Sequence, residues 1–204
     1  MFHRIRLCRV LIGTILVVAA ASAARADALQ DGIVAWMRGD YANSVRLLAP
    51  LADQGNPSAQ NLVGGAYLEG LGVERDCQKG LKLVSTAANG GYARAQYVMG
   101  RFTSTGTCTA KDDVIAFSWF KKSADQYDPD AEFMVGYFYW VGRAVPANSI
   151  EAYRWFTLCV RDWEKTPSAS PRNMQATKNN LDSLNAILSE TDLKRARTLI
   201  AQSK

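Results

Sequence analysis

The chain repeats itself every 36 residues. Ala59-Gln60 returns as Ala95-Gln96 and Ala131-Glu132, Val63-Gly64 as Met99-Gly100 and Val135-Gly136, and Gly70 as Gly106 and Gly142. Tyr67 aligns with Thr103 and Tyr139, Asp76 with Asp112 and Asn148, Leu83-Val84 with Trp119-Phe120 and Trp155-Phe156, and Ala87-Ala88 with Ser123-Ala124 and Cys159-Val160. A fixed period of this size restricts a chain to stacked units, each a supersecondary element that buries its apolar face only against its neighbours.

Within a unit the apolar spacing is that of a helix. Ala59, Val63, Ala66 and Tyr67 fall at i, i+4, i+7 and i+8 and make one buried stripe. Gly70-Leu71-Gly72 ends that helix, because glycine reaches positive φ without steric cost. Asp76, Asp112 and Asn148 stand where a second helix begins, with side-chain oxygens suited to the unpaired amides of a first turn. The second helix presents Leu81 and Val84, or Phe117 and Phe120, inward. Gly64, Gly100 and Gly136 sit inside first helices at a cost of about 1 kcal/mol against alanine. That cost predicts a second helix packed closely at each of these points.

The pattern resembles the Sel1-like repeat family, a tetratricopeptide-related group whose motif runs A-x-x-x-L-G-x-x-Y-x-x-G-x-G-V-x-x-D, then K-A, an aromatic and A-A. Residues 57–92 carry it most fully, through Ala59, Val63, Gly64, Tyr67, Gly70, Gly72, Val73, Asp76, Lys79, Ala87 and Ala88. The second copy, 93–128, departs at Thr103, Cys108 and Thr109, and the third, 129–162, at Cys159-Val160. The resemblance implies an all-α, right-handed α-solenoid of helix-turn-helix units. Residues 27–56 would form an N-terminal capping helix pair. The loop 163–173, rich in proline and hydroxyl side chains, would lead to C-terminal capping helices within 174–204, over Met174 to Leu188 and Thr191 to Gln202.

Composition matters mainly at the N-terminus. Arg4, Arg6 and Arg9, the apolar run Val10 to Ala21 and the triplet Ala24-Arg25-Ala26 read as a signal peptide over residues 1–26. The formal charge of +5 belongs largely to that segment, since losing Arg4, Arg6, Arg9 and Arg25 leaves 20 basic against the 19 acidic residues. A nucleic-acid track is not expected of such a balance. No later stretch approaches the ~20 apolar residues a membrane helix needs. His3, the one histidine, leaves with the same segment. Ser-His-Asp, Cys-His and His-metal chemistry are thereby excluded for the processed chain. No phosphate loop, zinc cysteine pair or nucleotide fingerprint occurs, so no catalytic residue, metal or cofactor is expected. Asp112-Asp113 and Asp128 to Asp130 read as helix caps, and Lys121-Lys122 and Lys194-Arg195 as solvated faces.

Three cysteines remain in a compartment that permits disulfides. Cys77 begins a second helix and Cys108 lies in the turn of the next copy. Stacking brings successive turns to one end of neighbouring units, so a Cys77 to Cys108 bridge is expected, with two free thiols as the alternative. It would close a loop of about 31 residues and stabilise by roughly 3 to 4 kcal/mol through chain entropy. Cys159 replaces a small core residue and reads as a buried hydrophobe.

In solenoids of this kind first helices line the concave side. Positions 61, 65 and 68 flank the core stripe; they are Asn61, Gly65 and Leu68 in the first copy, Tyr97, Arg101 and Ser104 in the second, and Phe133, Tyr137 and Trp140 in the third. Tyr97, Arg101, Phe133, Tyr137 and Trp140 are the candidate partner-binding residues, being types enriched at interface hot spots. The alternative is that the C-terminal helices bury the third-copy aromatics as core. The leading expectation is a non-catalytic, exported adaptor, periplasmic or secreted and monomeric, that binds a protein or peptide. Two others stand beside it: β-lactam binding or weak hydrolysis, which the resemblance to a cysteine-rich exported branch implies, and a purely structural envelope protein.

Overall fold

Helix caps and left-handed glycines divide the chain into short helices at regular intervals. The structure, a computed structural model, describes residues 26–165 and 171–203, with 171–173 described as backbone only. Apart from Ala26, the expected signal segment lies outside the described residues, as do positions 166–170 of the expected loop. Among the described residues there are ten helices and no strand. They are α1 (26–37), α2 (Tyr41–Asp53), α3 (Pro57–Glu69), α4 (Cys77–Asn89), α5 (Ala93–Thr105), α6 (Asp113–Ala124), α7 (Pro129–Val141), α8 (Ser149–Trp163), α9 (Pro171–Ile187) and α10 (Glu190–Ala201). The all-α solenoid reading therefore holds.

The same local chemistry recurs in each copy. Gly70, Gly106 and Gly142 end the first helices at φ of 73, 76 and 71°. Past each turn a backbone amide bonds back to the first helix: Asp76 N to Tyr67 O, Asp112 N to Thr103 O and Asn148 N to Tyr139 O, at 2.9, 3.1 and 2.9 Å. Asp76, Asp112 and Asn148 then accept from amides of the second helix, as expected of caps. The departures at Thr103 and Cys108 leave the second turn intact. Cys108 adopts the left-handed backbone of Gly72, with φ of 63 against 69°, and Ala144 follows at 62°.

The described residues divide into two units, one ending at Leu83 and one beginning at Val84. In the first, α2 packs on α3, and Val45, Leu48, Leu51, Ala52, Ala59, Val63 and Ala66 form the core. In the second, α5 packs on α6, α6 on α7, α7 on α8, and α8 on both α9 and α10. Its main core gathers Phe120, Phe138, Trp155 and Leu158, while Ala152, Phe156 and Leu184 form a second cluster toward α9. The predicted close approaches are present. A Cβ on Gly100 would lie 2.7 Å from the Phe120 ring, and one on Gly136 2.8 Å from that of Phe156. Helix α9 begins at Pro171, three residues before the expected Met174. Proline is at home in a first turn, where its missing amide has no partner to lose.

Candidate functional site

The five candidate residues lie on α5 and α7, and the structure separates them by burial. Tyr97 is half-buried, tilted against Phe120 at 5.9 Å between ring centroids, with the Arg94 guanidinium 4.6 Å over its face. Arg101 is exposed beside the Phe102 ring, 5.0 Å away. Phe133 stacks on Tyr137 at 6.4 Å and leans on Phe156 at 5.7 Å; Trp140 meets Phe156 edge-on at 5.7 Å. Tyr137, 39% exposed, is thus the outer member of an aromatic stack whose other rings reach the core beneath α9. Phe133 and Trp140 do part of the packing, which the alternative reading anticipated for them. Phe138 is wholly core.

The third flanking position needs correcting. Leu68 and Ser104 are buried rather than set beside the stripe, as is Asn61. Leu68 turns inward because the second helix comes closest there, at Gly80, whose added Cβ would lie 2.7 Å from the Leu68 side chain. Two charge readings also need enlarging. Asp112 and Asp128 do cap helices, but Asp113 pairs with Arg143 and Asp130 with Arg94, the latter at 2.6 Å across one full repeat. Lys121 and Lys122 are not merely solvated: they lie over the rings of Trp155 and Trp119 at 5.1 and 4.4 Å.

Cys77 and Cys108 are both disulfide-bonded, and Cys159 is a free, buried thiol. Its Sγ donates to Pro129 O at 3.2 Å, where Ser123 Oγ donates to Ala93 O one repeat earlier at 2.8 Å. Burial pushes this thiol well above the ordinary cysteine range, which suppresses the thiolate a nucleophile needs. Among the described residues no group of histidine, cysteine and acidic side chains is arranged to hold a metal, and no helix is long and apolar enough to cross a membrane.

A cavity of about 150 Å³ lies in the second unit, lined in part by Glu132, Arg154, Trp155, Leu158, Arg161 and Ser203. Its cations are occupied. Arg154 donates from Nε and Nη2 to Ser203 Oγ, at 3.1 and 2.8 Å, and from Nη1 to Glu151 at 3.0 Å. Arg161 grips Asp162 with two bonds of 3.0 and 2.7 Å, and Lys165 adds a third at 2.8 Å. Burial alone would raise the Asp162 carboxyl; the bonds from Arg161 and Lys165 outweigh it and hold this acid below its ordinary value. Glu132, 1% exposed, carries an oxygen without a partner. The repeat alignment contains the signal for this buried pair, since Gln60 and Gln96 become Glu132, but similarity of shape conceals the change of chemistry.

The repeat register and the helix-pair geometry agree with a known pattern: the family model described as Sel1 repeat matches residues 57–92, 93–128 and 129–158, together half of the chain. The chain belongs to the Sel1 repeat family. Among solved structures it is similar to a Sel1 repeat protein from Oxalobacter formigenes, at 32% identity and a TM-score of 0.59, over 66% of this chain and 55% of that one. A protective antigen of uropathogenic Escherichia coli strains displaying an SLR fold aligns at 24% identity and a TM-score of 0.67. That alignment covers 79% of this chain and 32% of the antigen, and shows likeness of fold. The chain thus spans about half the length of the first and a third of the second. No curated protein matches it. Sel1 repeats commonly serve as protein-interaction scaffolds and are generally non-catalytic.

Proposed function

We propose that this Sel1 repeat protein is a non-catalytic, exported adaptor that binds a protein or peptide segment on the first-helix face of its second and third repeats. The reading is carried by position 65 of the repeat. Where the first copy has Gly65, the next two present exposed Arg101 and Tyr137. Arginine and tyrosine dominate interface hot spots, and Tyr137 rests on a ring stack that reaches the core through Phe133 and Phe156. A supported ring loses little freedom when a partner covers it. Tyr97 and Trp140, half-buried on either side, would frame the contact. The disulfide-bonded state of Cys77 and Cys108 supports export, because such bonds persist in oxidising compartments.

The test is cross-linking in cells followed by mass spectrometry, comparing wild type with Arg101→Ala/Tyr137→Ala. Arg101 is exposed and Tyr137 gives up its stacking on Phe133, so the variant should lose roughly 1 to 2 kcal/mol and remain folded. Partners recovered with wild type should be lost with the variant; equal recovery would sink the assignment. Fractionation, together with the intact mass of the recovered protein, tests export, with cleavage after residue 26 expected.

A further inference from the structure

In the first two copies a buried glutamine ties each first helix to the preceding second helix. Gln60 Nε2 donates to Ala52 O at 3.2 Å, and Gln96 Nε2 to Ala88 O at 3.1 Å. Gln96 Oε1 in turn accepts from Gln126 Nε2 at 2.8 Å. One repeat later Gln96 and Gln126 become Glu132 and Asp162. A glutamine amide carries both a donor and an acceptor, whereas an ionised carboxylate carries only acceptors. Asp162 is bound to the ionised form by Arg161 and Lys165. The carbonyl equivalent to those of Ala52 and Ala88 belongs to Ala124, which lines the same cavity as Glu132. Glu132 therefore meets an ionised acid, hydrogen-bonded to Asp162 through one oxygen and with Oε2 buried and unpartnered. With Asp162 ionised, only a proton on Glu132 supplies the donor for the bond between the two carboxyl groups.

We propose that Glu132 is a neutral carboxylic acid in the folded protein, supplying the donor to Asp162 where the second copy has the amide bond between Gln126 and Gln96, so that α7 and α8 are held together by a proton that alkaline pH removes. The groups facing it are mixed in sign. Asp162, Arg161 and Cys159 come from α8, Lys165 from the turn after it and Asp128 from the start of α7. Asp125 and Tyr127, at the end of α6, and Arg154 stand in the cavity wall. Asp125 is itself paired with Lys121. Burial first, and the Asp162 charge second, push the Glu132 carboxyl up to about 9 against the partial opposition of Arg161. Between the ordinary glutamate value of about 4.3 and that figure, the folded protein holds a proton that the unfolded chain has released. This group's contribution is whole at acid pH, falls tenfold in the folding constant per pH unit through the window, and levels off above it.

Urea denaturation of the full chain, wild type against Glu132→Gln, tests the proposal. From about pH 6 to about pH 8 the wild type should lose roughly a hundredfold in its folding constant relative to the variant. Parallel curves would overturn the proposal. Infrared spectra of the wild type decide independently, even if the variant fails to fold. A protonated carboxyl stretch at about pH 7 that disappears by about pH 10 is expected; carboxylate absorption alone at the lower pH would overturn it.

Discussion

The second and third repeats are built on one frame and filled with different chemistry. In both, a ring from the second helix lies against a glycine of the first, Phe120 on Gly100 and Phe156 on Gly136. In both, a small side chain at the second-helix end donates to the first carbonyls of the neighbouring helix, Ser123 to Ala93 and Cys159 to Pro129. The second copy keeps an amide pair, Gln96 with Gln126, where the third has two acids, Glu132 and Asp162. It also keeps arginine where the third has a ring-supported tyrosine. The frame is what a solenoid needs in order to stack. The replacements leave the ring-on-glycine contacts untouched and change the polar ties beside them, which is where this repeat protein acquires a distinct property.

The sharpest way to break this comparison is to remove the rings. Phe156→Ala should cost about 3 to 5 kcal/mol, the range for a fully buried phenylalanine. Phe120→Ala should cost as much, because Phe120 likewise meets two rings, Tyr97 at 5.9 Å and Phe138 at 5.7 Å, as Phe156 meets Phe133 and Trp140. Chemical denaturation of both variants reads the losses, and a loss in one copy far below that in the other would contradict the shared frame. Next in size is the disulfide. Reduction should lower stability by roughly 3 to 4 kcal/mol, and alkylation without reductant should modify Cys159 alone, and only after unfolding. Three modified thiols in the intact mass would contradict this.

Filling the close approaches comes third. Gly100→Ala and Gly136→Ala should each cost about 1 to 3 kcal/mol through overpacking. A Gly136→Ala/Phe156→Leu double variant should recover part of the loss, since the two groups share one space. The smallest effects concern caps. Tyr92 begins α5 without a side-chain cap bond, whereas Asn148 accepts from two amides of α8 at 3.1 Å. Asn148→Ala should therefore lose about 1 kcal/mol in thermal unfolding, and Tyr92→Asn should gain a comparable or smaller amount.

Much of this frame was legible in the sequence because it rests on local chemistry. Gly70, Gly106 and Gly142 ended helices by backbone freedom alone, and Asp76, Asp112 and Asn148 capped the next by side-chain type. Inward-facing rings followed from helical spacing. What escaped depended on contacts at distance. Leu68 and Ser104 count as flanking positions on a helical wheel, yet both are buried, Leu68 where the partner helix comes closest at Gly80. Pro171 looked like a helix breaker, but a proline can equally begin a helix. Glu132 aligns with glutamine so well in shape that its missing donor shows only in its burial and its contact with Asp162. Among the proposed binding residues, periodicity placed all five on first helices but could not distinguish the partly buried rings, Phe133 and Trp140, from the exposed one, Tyr137.

The central claim, that the two repeats share a frame and differ by a pair of acids in place of a pair of amides, is tested most directly by exchanging the pair. Glu132→Gln/Asp162→Gln places the second copy's side chains in the third. The thermal midpoint of this variant, measured against wild type from about pH 6 to about pH 9, should equal or exceed that of wild type at the upper end and lack its decline. A variant that melts below wild type throughout and still declines in parallel with it would contradict the account.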